Sequence, residues 1–134
     1  MDIVSVEGRA AGHLLRDKEE LADAVTQALF DDMRELQAKY GDSGREKCLQ
    51  DLRYTIEHLI PAVDLAQPDL FASYVRWLDA LLRARNVSTR EVVRSLELME
   101  RVVRDHLAAD EADAVAACVN AGLATLGTGA ESGR

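Results

Sequence analysis

Apolar residues along this chain recur at steps of three and four, the spacing that lines one face of a helix. From Asp17 to Lys39 the stripe is Leu21, Val25, Leu29, Met33 and Leu36, which predicts one helix. Tyr40-Gly41-Asp42-Ser43-Gly44 then breaks the pattern with two glycines and capping-type residues. Leu49, Leu52, Ile56, Leu59, Ile60 and Val63 predict a second helix over about 44–65. Pro61 lies inside that run and predicts a kink, or an early end near Leu59–Ile60, because it lacks an N–H and crowds the preceding turn.

Pro68 and Asp69 suit the first turn of a third helix reaching about Arg85, with Leu70, Phe71, Tyr74, Val75, Leu78, Leu81 and Leu82 as its apolar stripe. Asn86-Val87 reads as a turn, and Ser88-Thr89-Arg90-Glu91 as a capping box. The helix it opens carries Val92, Val93, Leu96, Met99, Val102, Val103 and Leu107. A last helix runs from near Asp110 to Gly127, a C′ glycine in this reading. Residues 1–16 stay ambiguous, since Gly8 and Gly12 weaken a helix there. The expectation is five helices in one all-α domain over 1–127, with a disordered tail at 128–134.

Composition agrees with helix. Aromatics are 4% of the chain, while alanine, leucine, arginine and glutamate dominate. At 134 residues and 48% hydrophobic content, the chain can bury a core without staples. Its net charge of −8 and its lack of a basic run argue against nucleic-acid binding. No apolar stretch approaches the roughly 20 residues of a membrane span, and no signal peptide is visible. The expected location is the cytoplasm, where Cys48 and Cys118 stay reduced. Neither cysteine sits in zinc-ligand spacing, and no metal site is expected. No nucleophile–base pair, phosphate loop or carboxylate pair is legible, so the chain does not read as an enzyme.

One stretch carries chemistry: Lys47-Cys48-Leu49-Gln50-Asp51-Leu52-Arg53-Tyr54. Asp51 follows Cys48 by one helical turn, Tyr54 follows Asp51 by another, and His58 comes four residues later. The stretch resembles the bilin-attachment helix of the phycobiliproteins, haem-free globins that hold a linear tetrapyrrole; the Lys, Cys, Asp and Tyr fall in register with theirs. The similarity extends over about 40–126, through Asp69-Leu70-Phe71, Trp77-Leu78, Asn86-Val87-Ser88 and Val93 to Met99. Within that family the chain is most similar to the photoglobin group of bilin-binding sensor globins.

The resemblance implies a globin-like fold and a bilin cofactor, biliverdin or a phycobilin. It gives Cys48 a thioether to the pigment and Asp51 the pyrrole nitrogens. Tyr54 and Trp77 would line the pocket, with His58 near the Asp51 side. Lys47 or Arg53 would pair with a propionate, because Gln50 replaces the family arginine that does so. The family's aromatic pair is also absent, since Thr89 and Arg90 follow Ser88. Haem is disfavoured, because residues 67–86 contain no histidine to serve as proximal ligand.

The expected function is therefore a photosensor or pigment-binding globin, acting through a homodimer or a separate signalling partner. The alternative is a pigment-free sensor or scaffold globin that works by protein–protein assembly. Against both stands the ordinary fate of a free cysteine, a small buried hydrophobe; that is the expected role of Cys118.

Overall fold

The structure is a computed structural model that describes residues 4–127, with the backbone of the last helix traced to Ser132. Of the tail expected at 128–134, residues 128–132 continue the helical backbone of α6, and 133–134 lie outside the described residues. Among those described the chain is all-α, built from α1 (Val6–Arg16), α2 (Lys18–Asp32), α3 (Glu35–Asp64), α4 (Pro68–Ala84), α5 (Thr89–His106) and α6 (Ala109–Ser132). Among the described residues no helix is long and apolar enough to cross a membrane.

The ambiguous N-terminal segment is a helix. Ser5 caps it by accepting a hydrogen bond from Gly8 N–H at 2.9 Å, and Ala10 and Leu14 are fully buried. The helix expected over 17–39 is two elements, because Met33 leaves helical conformation at φ −114°, ψ 78°. Periodicity could not reveal this break, since Leu29, Met33 and Leu36 are all buried on either side of it.

The glycine break is real. Gly41 sits inside α3 at φ 68°, ψ −171°, a region open essentially only to glycine. Pro61, by contrast, neither kinks nor ends the helix; α3 stays helical to Asp64, and Pro61 is exposed. A proline on the solvent side leaves its unpaired carbonyl partner to water. Gly127 lacks the positive φ of a C′ glycine, so α6 does not end on it.

The predicted stripes meet in one core. Leu21, Val25, Leu52, Ile56, Leu59, Phe71, Val75, Leu96 and Met99 all belong to it. α4 packs chiefly on α6, where Gly122 lies so near Val75 and Phe71 that an added Cβ would sit 2.9 Å from Val75 Cγ2. Ion pairs tie the outer edges together: Lys18 to Glu57 at 2.7 Å, and Arg94 to both oxygens of Asp32 at 2.8 Å. Glu111, buried under α1, takes His13 at 2.5 Å and Arg9 at 3.6 Å.

Candidate functional site

The helices do not close everywhere. Between α2, α3, α4 and α5 they leave a cavity of about 440 Å³. Leu29, Phe30, Leu52, Leu78, Leu82, Val92 and Leu96 form its apolar wall. The polar groups are few: Lys47, Cys48, Asp51 and Thr55 from α3, Arg85 at the end of α4, and Glu91 and Ser95 from α5. Its near side is covered by the first turns of α3, through Leu36, Lys39, Tyr40, Ser43 and Gly44.

Helical spacing explains this wall. Cys48, Asp51, Leu52 and Thr55 follow one another at three, one and three residues, and so share the face that α3 turns toward α4 and α5. Asp51 is half-buried, and none of the described residues donates a hydrogen bond to its carboxylate. Burial raises its pKa, against the opposing pull of Arg85 and Lys47. Those two cations form no ion pair among the described residues, although both line the cavity. Thr55 is fully engaged: its hydroxyl bonds the Asp51 carbonyl at 2.8 Å and meets the Tyr74 hydroxyl at 3.1 Å.

Cys48 departs from expectation. A lysine next in sequence and a nearby helix start would by themselves acidify a thiol. Instead burial, followed by the charge of Asp51, pushes the thiol up to about 12. The thiol is therefore neutral across the physiological range.

Of the seven residues expected at the site, Lys47, Cys48 and Asp51 line the cavity, while Gln50, Tyr54, His58 and Trp77 do not. Those four lie on the outer surface: Gln50 is exposed, Tyr54 is 49% exposed and Trp77 58%. His58 stacks on Tyr74, ring centroids 4.1 Å apart, and Tyr74 meets Trp77 at 5.8 Å. The physical reason is angular. Residues 50, 54 and 58 step along the face of α3 next to the one holding 48, 51 and 55, and that face meets solvent. Arg53 is likewise occupied elsewhere, paired with Glu19 at 2.6 Å.

Sequence reasoning missed Arg85 and Glu91 as site residues. Arg76, Arg83 and Arg85 share the C-terminal half of α4 and its cap, but Arg76 bonds Thr125 and Arg83 bonds Asp79, so of the three only Arg85 is left to the cavity. Glu91 read as the second half of a capping box. Ser88 Oγ does accept from Glu91 N–H at 3.2 Å, but the Glu91 side chain turns away from Ser88. It is buried, and accepts from Tyr40 at 2.7 Å and from Lys39 at 2.9 Å. No local signal could have shown this, because the donors lie about fifty residues upstream.

No histidine lines the cavity, so it offers no imidazole to iron. His106 gathers with Asp17 and Glu20 on the far side of the fold, at 3.3 and 3.4 Å. Arg16 already bonds Asp17 there at 2.7 and 2.9 Å, which makes the group an ion-pair network. No protein-family model matches the chain, and no curated protein matches it.

Proposed function

We propose that this chain is a haem-free, globin-like protein that holds a linear tetrapyrrole in the cavity beside Cys48 and Asp51. The observation that carries this reading is the Asp51 carboxylate, half-buried in an apolar wall with no hydrogen-bond donor of its own. Such a group costs free energy unless a ligand supplies donors or positive charge. Protonated pyrrole nitrogens supply both. Lys47 and Arg85, free at the rim, suit the acidic side chains of the same pigment. A volume near 440 Å³ falls within the range of small-molecule sites.

The first complex in this reading is non-covalent, because the Cys48 thiol is held neutral. A thioether would follow only if the bound pigment presents a vinyl group. The sulfur would then bond one carbon and the thiol proton would pass to the other, with no net oxidation. The pigment would make the protein a photosensor in the cytoplasm, its state read by a second copy of the chain or by a separate signalling partner.

Titration with biliverdin, followed by visible absorption, tests the proposal. A sharpened, red-shifted band is expected. Asp51→Asn should lower the pKa of the bound pigment by one unit or more, about 1.4 kcal/mol for each, and blue-shift the band near neutral pH. Asp64→Asn, at an exposed position, should leave it unchanged. If no band forms with the parent protein, the second reading takes over: a pigment-free scaffold. The exposed aromatic surface of Tyr54 and Trp77 favours that reading, since it is the kind of face that a protein partner covers.

A further inference from the structure

The cover of the cavity is built differently from its walls. Residues 34–40 form a short arm between two non-helical points, Met33 at φ −114°, ψ 78° and Gly41 at φ 68°, ψ −171°. Leu36 is the underside of the arm, and borders the cavity. At its far end Lys39 and Tyr40 reach across to α5, where both donate to the buried Glu91 carboxylate, at 2.9 and 2.7 Å. Glu91 lies at the cavity edge and is the only acceptor that holds this end of the arm across the opening among the described residues.

We infer that the arm is a gate: the Lys39–Glu91–Tyr40 clasp holds it over the cavity, and its release about Met33 and Gly41 admits the ligand. Three features converge on this. The backbone is non-helical at both ends of the arm, which marks the two points about which it can turn, with Gln37 donating to Asp42 at 3.0 Å across the Gly41 end. The clasp is polar and joins elements far apart in sequence, so water can replace its bonds, while Leu36 on the underside of the arm belongs to the apolar core and favours the closed position. The arm borders the same space as Cys48 and Asp51, so opening exposes those side chains together with the apolar wall around them. The inference rests on the reading that this cavity takes a ligand, but not on the ligand being a tetrapyrrole.

Cys48 reports the gate without any ligand. In a Cys118→Ala background it is the single thiol, and it lines the cavity. Its labelling rate with a bulky dye-bearing maleimide should rise about tenfold or more in Glu91→Gln, the factor expected from losing one charge-assisted hydrogen bond. Labelling with iodoacetamide, which is small, should change far less. The pair Lys39→Met with Tyr40→Phe should behave as Glu91→Gln does. Maleimide rates within twofold of the parent in both variants would overturn the gate. If Glu91→Gln loses its helical circular dichroism, the Lys39→Met, Tyr40→Phe variant decides, since it changes only the arm. The two proposals fail separately. A parent that gives no biliverdin band, yet shows accelerated maleimide labelling in the variants, loses the pigment and keeps the gate.

Discussion

The two ends of α3 obey the same apolar periodicity and meet different fates. Toward the C-terminus Ile56, Leu59, Ala62 and Val63 are at most 1% exposed and sit in the main core. Toward the N-terminus Cys48 and Asp51 are half-buried, and face a space that no side chain fills. The difference comes from the neighbours. A stripe of apolar residues states that a face wants cover, and only the packing of other helices decides whether that cover is side chains or a void. At the cavity end the cover is a short arm clasped by polar bonds, which are weaker and more readily exchanged with water than a packed core.

The sharpest way to break this comparison is by truncation at both ends. Leu59→Ala should cost about 2–5 kcal/mol, because it opens a new hole in a filled core. Leu52→Ala, one face of which already borders the cavity, should cost less than half as much. Urea denaturation of the two variants measures the ratio. Equal costs would mean that the cavity collapses in solution and that the two ends are packed alike.

A smaller effect sharpens the same contrast through charge. Burial raises the Asp51 pKa, so the folded state favours its protonated form. That contribution is fully present below the unfolded value near 4, and is lost as pH rises through the raised folded value. Asp51→Asn should therefore stabilise the ligand-free protein at pH 7. The gain should stay below about 1 kcal/mol, because about half of the group is still hydrated. It should close on acidification toward pH ~4. Thermal melts across pH 4–7 read it. A variant less stable than the parent at pH 7 would mean that Asp51 makes a favourable interaction in the empty protein.

The least effect on stability, and the clearest spectroscopic one, is the state of Cys48. With its thiol pushed up to about 12, roughly one molecule in ten thousand is thiolate at pH 8. In the Cys118→Ala background, alkylation by iodoacetamide at that pH should run at least about a hundredfold slower than for a free cysteine. The rate should still be climbing above pH 10, and thiolate absorbance in the ultraviolet should follow it. A plateau near pH 8.5 would place Cys48 in water and remove it from the cavity wall.

Much of the bundle was legible in the sequence, for reasons that are local. Leu21 to Leu36, Leu52 to Val63, Phe71 to Leu82 and Val92 to Val103 all turned their apolar stripes inward, because a helix brings every third or fourth side chain to one face. Gly41 marked its break, because its backbone conformation excludes other residues. Ser88 marked its cap. The break at Met33 carried no such mark, since an apolar side chain can be buried equally from a helix or from a turn. Pro61 gave a misleading mark, since a proline on an exposed face can be carried within a helix.

The chemistry divided along the same line. Sequence alone put Cys48 and Asp51 on one face of one helix, because a spacing of three residues is itself a statement of geometry. It could not say that Tyr54, His58 and Trp77 lie outside the cavity, because neighbouring faces of a helix differ by a rotation that only packing against α4 resolves. Nor could it pair Glu91 with Lys39 and Tyr40, or bring Arg85 to the opening beside Lys47. Those facts depend on which long-range neighbour arrives at each polar group, and on burial, which moved the Cys48 thiol against the direction its sequence neighbours suggest. Short-range spacing is written in the chain, while solvent exclusion exists only once distant segments have met.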